Sequence, residues 1–261
     1  MFYSHEAKNE FIYYLKESLG FNYNDIYLNS ERFLTEQEEN LIKDFKKKKE
    51  EGTPLDYILN SSKFYENNFY IDNRVLIPRP ETEILVEYVN NHFSSSLKLL
   101  DVGTGSGCIG ISIALKNLSA TVYGSDNSIG ALEVASINKR NLNADNFLLI
   151  HANWLSCFRN KSFDLIVSNP PYIDENDDHL NNLKHEPYSA LVAKDHGLGD
   201  IKKIVSQSTS ILREGGVLMI EHGHDQEFEV KNIFSASNFS NILCLKDLSS
   251  IPRITIGTLK I

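Results

Sequence analysis

Cysteine is scarce. Cys108, Cys157 and Cys244 are odd in number and stand at no paired or metal-ligand spacing, which argues against a disulfide-stapled scaffold or a zinc module. Long apolar runs are missing too: no stretch approaches the roughly 20 residues of a membrane-spanning helix. The segment Met1 to Glu10 carries charge where a signal peptide needs an apolar core. A reducing cytoplasm and no membrane association are therefore expected. Positive charge is also short, with 26 Lys and Arg against 35 Asp and Glu and a formal net charge of -9. A surface that neutralises phosphates needs the opposite balance, so direct nucleic-acid binding is not expected. An acidic face suits a basic protein partner, although net charge bears more on solubility than on partners.

What is present supports two cores. A chain of 261 residues with 41% hydrophobic content can build one large domain and one small one. Phe11, Ile12, Leu15 and Leu19 recur at helical spacing, as do Leu41, Ile42 and Phe45, and Pro54, Tyr57 and Ile58 suggest a third short helix. Residues 1–60 thus read as a small helical domain. Its run Lys46 to Lys49 is read as the solvated C-terminal end of a helix rather than a nucleic-acid patch. Residues 61–80 read as a β-hairpin linker. Phe64, Tyr65, Phe69, Tyr70 and Ile71 alternate around Asn67-Asn68, and Asn tolerates the positive backbone angle of a hairpin turn. Pro78 and Pro80 impose an extended segment, after which a helix starts near Glu81 and buries Ile84, Leu85 and Val89.

From 81 to 261 the rhythm changes to short apolar runs alternating with helical stretches. Leu97 to Val102, Thr121 to Ser125, Phe147 to Ile150, Phe163 to Ser168 and Gly216 to Glu221 read as buried strands of a mainly parallel, Rossmann-like α/β sheet. Asn241 to Leu245 and Arg253 to Thr258 complete it to seven strands with an antiparallel edge.

Asp101-Val-Gly-Thr-Gly-Ser-Gly107 is the end of a strand running into a glycine-rich turn that opens a helix near Cys108. Lacking Cβ atoms, such a turn bends sharply and lets a ligand lie against backbone N–H groups. Gly105, Gly107 and Gly110 also satisfy the dinucleotide pattern G-x-G-x-x-G, so this loop alone leaves a nicotinamide or flavin cofactor open. Asp126, at the tip of the second strand, is placed to accept from both hydroxyls of a ribose, which narrows the ligand to an adenosine-containing molecule; it can equally cap the helix near Ser128. After the third strand, Asn153 and Trp154 offer an amide edge and an aromatic face to an adenine ring, or Trp154 is packing.

The fourth strand stops at Asn169-Pro170-Pro171-Tyr172. Two successive prolines stiffen the chain and remove their own donors, leaving the carbonyls, that of Pro170 especially, free to accept from an incoming NH₂. The Asn169 side-chain oxygen is a second acceptor, and Tyr172 can stack on a planar group. An amide or aromatic amine nitrogen is a poor nucleophile, and gripping both of its hydrogens aims it at an electrophile. Such a site suits methyl transfer from S-adenosylmethionine (SAM), because the nitrogen can shed its proton after transfer and no charged base is needed. A rigid turn without chemistry is the plain alternative.

These segments, with Ile77-Pro-Arg-Pro-Glu-Thr-Glu83 and Glu186-Pro-Tyr-Ser-Ala-Leu191, resemble the protein-(glutamine-N5) methyltransferases of the HemK/PrmC type, over nearly the whole chain. The resemblance implies a SAM-dependent methyltransferase sheet with an N-terminal helical domain that grips the substrate. It implies transfer from SAM, leaving S-adenosylhomocysteine, to the Gln of the Gly-Gly-Gln motif in class-1 peptide chain release factors, so modulating translation termination. By position it implies SAM contacts from Gly103, Thr104, Gly105, Ser106, Gly107, Asp126, Trp154 and Asn169. Catalysis would rest on Asn169, Pro170 and Tyr172, and substrate binding on Asn169, Pro170, Pro171 and Tyr172, with no metal. Arg79 and Pro80 either border the peptide entrance or serve structure alone. Asn153 stands where the family often has Asp, and Asn60 where it usually has Gly. A monomer is expected. The competing readings are an adenine or cytosine amino-methyltransferase acting on nucleic acid, and a noncatalytic nucleotide-binding scaffold.

Overall fold

A computed structural model of the chain describes residues 5–28, 33–93 and 96–261; residues 1–4, the head of the expected helical domain, lie outside it. The chain divides into two compact units, residues 1–62 and 63–261. In the first unit α1 (His5–Leu19) is followed by a π-helical turn (Asn24–Leu28), α2 (Glu36–Glu50) and α3 (Leu55–Leu59). Thr35 and Glu38 form a reciprocal capping box that starts α2, satisfying N–H groups the helix cannot pair itself. The apolar faces meet at Tyr14, Leu15, Phe45 and Tyr57, with the Tyr14 and Phe45 rings 4.4 Å apart. The lysine run does end α2, and Lys48 and Lys49 pair with Asp44 and Glu10. Asn60 closes α3 at φ 50°, ψ 36°. The left-handed angle that glycine would adopt freely is thus met by asparagine, which tolerates it better than other side chains.

Next come β1 (Ser62–Phe64) and β2 (Asn67–Phe69), a two-stranded hairpin. The turn is not at Asn67-Asn68, which lie in β2, but at Tyr65-Glu66, with Tyr65 at φ 53°. The Glu83 carboxylate accepts from the Tyr65 N–H at 2.8 Å, and Glu66 pairs with Lys116, so partners from later in the chain select the turn. Phe64 and Phe69 are both fully buried in this register.

The large sheet is built from β3 (Lys98–Val102), β4 (Thr121–Asp126), β5 (Phe147–His151), β6 (Phe163–Ser168), β7 (Leu212–Glu221), β8 (Phe239–Lys246) and β9 (Pro252–Leu259). Its order is β5-β4-β3-β6-β7-β9-β8, parallel except for the two pairings of β9. The antiparallel end therefore comes from one reversed strand inserted beside β7, a departure from the all-parallel dinucleotide order. The helices are α4 (Glu83–His92), α5 (Cys108–Lys116), α6 (Ile129–Asn141), α7 (Tyr188–Leu191), α8 (Gly199–Ile211) and α9 (Glu227–Ala236). A one-turn 3-10 segment at Pro80–Thr82 precedes α4, so the helix proper starts two residues later than Glu81. In α8, Ile201, Ile204, Val205, Ser208 and Ile211 form the buried stripe that a 3.6-residue period creates. It packs with α9 on Leu100, Val102, Ile166, Leu218 and Ile220, while alternate residues face the other side, where Asp101 meets α5.

Register positions the site. Val102 pairs with Ser125 on one side and with Ser168 on the other, and Asp126 pairs with His151. Four strands thus end level, and the loops leaving them share one edge of the sheet. Among the described residues no helix is long and apolar enough to cross a membrane.

Candidate active site

The turn after β3 is closed by its own backbone. The N–H groups of Gly103 and Thr104 both donate to the Ser125 carbonyl, at 2.8 and 2.9 Å. Gly103, Gly105 and Gly107 have φ of 73°, 54° and 82°, where a side chain would be strained. A Cβ on Gly107 would come within 2.8 Å of the Ile111 side chain, whereas one on Gly105 would meet nothing within 4 Å. Beneath the turn, the fully buried Asp101 carboxylate accepts from Thr104 Oγ1 and the Gly110 N–H, and burial pushes its pKa up to about 7. A Cβ on Gly110 would lie 2.5 Å from the Phe147 ring, so that glycine serves helix-to-sheet packing.

Asp126 holds the turn from the tip of β4. One carboxylate oxygen accepts from the Gly105 N–H and the other from the Ser128 N–H, both at 2.9 Å, while Ser128 itself caps α6. Asp126 thus joins the glycine turn to the start of α6. Burial raises its pKa, and the backbone donors pull it back. Trp154, at φ 51°, sets its ring 3.5 Å from where a Gly103 Cβ would be and packs on the core, its indole N–H favouring the Asp200 carboxylate. Asn153 is exposed and its Oδ1 lies 3.5 Å from Lys203 Nζ.

On the β6 side, Asn169 Nδ2 donates to Thr82 Oγ1 at 3.2 Å. Among the described residues no donor meets Asn169 Oδ1 or the Pro170 carbonyl, so both keep their lone pairs. The Tyr172 phenol lies 3.4 Å from Glu221 Oε1, and burial raises its pKa. Behind the loop, Ile173 bridges to Val192, and the Tyr172 carbonyl accepts from Gln226 Nε2 at 3.1 Å.

Two cavities flank Asn169. One, of about 460 Å³, is lined by Gly103, Thr104, Gly105, Ser106, Asp126, Asn153, Trp154, Asn169 and Pro171 among others. The second, of about 310 Å³, is lined by Leu76, Asn169, Pro170, Tyr172, Leu183 and Leu191 among others. Arg79 borders both. Of the residues expected at the site, Gly107 and Pro80 line neither; Gly107 acts by turning the chain and Pro80 opens the 3-10 segment before α4. Among the described residues no cluster of His, Cys, Asp and Glu is arranged for a metal.

Glu186 stands out in the sequence as part of a motif but not for what it holds, and Asn138 does not stand out at all. The buried Glu186 carboxylate accepts from the Ile77 N–H at 3.0 Å and from Arg79 Nη2 at 2.5 Å, tying the segments Ile77 to Glu83 and Glu186 to Leu191 together. Asn138, fully buried in α6, donates to the carbonyls of Tyr70 and Ser106 and accepts from the Tyr70 N–H, fastening the segment after the hairpin to the glycine turn. An acidic or amide side chain in a helical or loop stretch carries no signal for such distant partners.

A glycine turn after the first large-sheet strand, an acidic tip on the next and a reversed strand inserted in the sheet define a Rossmann-like methyltransferase. The methyltransferase small domain family matches residues 80–241. Among solved structures, a methyltransferase from Pyrococcus furiosus superposes with TM-score 0.56 at 16% identity, over 74% of this chain and 89% of that one. The ribosomal protein L11 methylase of Lactobacillus delbrueckii subsp. bulgaricus gives 0.55 at 19%, over 76% and 92%. The release factor glutamine methyltransferase of Coxiella burnetii is 36% identical over 91% of this chain and 84% of its own length. That of Buchnera aphidicola subsp. Schizaphis graminum is 37% identical over 90% and 86%. The chain belongs to the release factor glutamine methyltransferase family.

Proposed function

We propose that the chain transfers the methyl group of SAM to the side-chain amide nitrogen of the Gln in the Gly-Gly-Gln motif of class-1 peptide chain release factors. The observation that carries this reading is the pair of free acceptors, Asn169 Oδ1 and the Pro170 carbonyl, where a large and a small cavity meet.

The larger cavity suits SAM in chemistry as well as size. Gly105 leaves open space where a Cβ would intrude, and the Asp126 oxygens, each holding one backbone N–H, retain lone pairs for two ribose hydroxyls. Gly103 through Ser106, Asp126, Trp154 and Asn169 form the cofactor side, and Gly107 turns the chain that carries them. When bound, SAM supplies an electrophilic methyl carbon on a positively charged sulfur. Asn169 Oδ1 and the Pro170 carbonyl each take one hydrogen of the glutamine NH₂, fixing the nitrogen's direction and favouring loss of its conjugation with the carbonyl. Tyr172 and the apolar Leu76, Leu183 and Leu191 wall the aliphatic part of the side chain. Helices α1 to α3 serve to hold the release factor, using binding energy to position a flexible loop.

Incubation with methyl-labelled SAM and a class-1 release factor tests this. Label should enter wild-type factor and be lost when the Gly-Gly-Gln glutamine is replaced; label that persists in the substituted factor overturns the reading. Asp126→Ala should weaken SAM binding by about 10–100-fold, since a hydrogen bond to a charged group contributes roughly 1.5–3 kcal/mol. Calorimetric titration checks it, and an unchanged affinity would remove Asp126 from the cofactor side.

A further inference from the structure

Among the described residues, Arg79 is the cation that lines both cavities beside Asn169. Its side chain is 32% exposed, while that of its partner Glu186 is 3% exposed. A buried carboxylate is costly unless it is paired, and Glu186 uses both oxygens: Oε1 accepts from Arg79 Nη2 and Oε2 from the Ile77 N–H. A guanidinium carries five N–H donors, and this bond engages one. Among the described residues no acceptor meets the others, although the group is fixed at a cavity wall.

Sheet order gives the larger cavity a direction. Its wall takes Asn153 and Trp154 from beyond β5, Asp126 from the tip of β4, the glycine turn from β3 and Asn169 from beyond β6, and these strands lie side by side in that order. With the ribose at Asp126 and the transferable methyl at Asn169, adenine lies toward β5 and the amino-acid end of SAM toward β6. Arg79 stands at the β6 end, since it also lines the second cavity with Pro170 and Tyr172. The carboxylate of that end is the one anion that SAM and a glutamine side chain bring to the site.

We infer that Arg79 binds the carboxylate of SAM, with Glu186 as the positioning residue that holds the guanidinium at the wall. This rests on the proposed placement of SAM in the larger cavity. A planar guanidinium can meet a carboxylate through two parallel hydrogen bonds, a match that an ammonium lacks. The competing acceptor is the carbonyl oxygen of the substrate amide. A donor there would strengthen the conjugation of the nitrogen lone pair with that carbonyl, which methyl transfer must weaken, so it would favour the ground state over the transition state.

The test is calorimetric binding of two nucleosides to the full chain: S-adenosylhomocysteine, which keeps the carboxylate, and 5′-methylthioadenosine, which lacks the whole amino-acid end. Arg79→Ala should weaken S-adenosylhomocysteine binding by roughly 10–100-fold, the loss of a hydrogen bond to a charged group, and leave methylthioadenosine near its wild-type affinity. Arg79→Lys and Glu186→Gln should each show a smaller selective loss, about 2–10-fold, the contribution of one ordinary hydrogen bond. Lysine keeps the charge but not the paired geometry, and an amide offers one acceptor oxygen where Ile77 and Arg79 need two. Equal losses for the two nucleosides would mean that Arg79 only supports the fold, and unchanged S-adenosylhomocysteine affinity that it does not reach the carboxylate; either overturns the inference. So does a raised KM for the release factor with S-adenosylhomocysteine affinity unchanged, which would assign the guanidinium to the substrate. If the unpaired Glu186 of Arg79→Ala prevents folding, the two milder variants decide. A wild type that binds S-adenosylhomocysteine but methylates no release factor would instead defeat the proposed function, leaving the paired affinities to judge Arg79.

Discussion

Asn169→Ala is expected to lower turnover by about 10²–10³-fold, the loss typical of removing one preorganised hydrogen-bonding group from the transition state. The SAM affinity should change far less. The reason is geometric: Asn169 stands where the two cavities meet, and in the proposed reading its Oδ1 is one of the two acceptors that hold the substrate nitrogen. Asp126, by contrast, is tied to the glycine turn and α6 and has no contact with the acceptor cavity. Single-turnover rates and calorimetric SAM titrations on Asn169→Ala and Asp126→Ala should therefore separate chemistry from cofactor binding. Equal loss of SAM affinity in both variants would mean that the roles are divided wrongly.

Gly197→Ala should destabilise the protein by about 2–4 kcal/mol, combining left-handed backbone strain with an overpacked contact. Gly197 has φ of 79°, and a Cβ there would fall 2.0 Å from the Tyr172 carbonyl oxygen and 2.7 Å from Gln226 Nε2. Neither can yield cheaply. The Tyr172 carbonyl is the one Gln226 holds, and the next residue, Ile173, bonds to both the Leu191 carbonyl and the Ala193 N–H. Relief of the clash must shift Tyr172, so kcat should fall as well. Gly215→Ala is the control: its φ is 73°, yet a Cβ there meets nothing within 4 Å. It should cost only the backbone strain, about 1 kcal/mol, and spare activity. Denaturant unfolding of the two variants measures the difference, and equal costs would show that contact with Tyr172 is not what Gly197 protects.

The elements that local pattern decides were legible. The short apolar runs became strands, and those of β3 and β6 are buried on both faces as such runs require, whereas the Phe147 run forms the edge strand β5 with Leu148 exposed. The glycine turn, the acidic tip at Asp126 and the Pro-Pro loop follow from residue types that restrict or free the backbone. Asn60 shows the same logic, since asparagine there takes the angle its position demands. The hairpin turn was misplaced because Asn67-Asn68 has the stronger local propensity. The Glu83 carboxylate and the burial of Phe64 and Phe69 outweigh that propensity in the folded chain.

Residue types and their spacing set the kinds of element, their order, and the chemical groups available to hold a nucleoside and an amide. Which of those groups meet depends on the folded chain. The Val102 to Ser168 pairing sets the glycine turn beside the Pro-Pro loop, Glu186 joins Ile77 and Arg79, Asn138 fastens Tyr70 to Ser106, and Thr82 accepts from Asn169. The physical reason is one of range. Backbone preference acts over a few residues, whereas a buried hydrogen bond is satisfied by whatever the fold brings within about 3 Å, and that neighbour can come from anywhere along the chain.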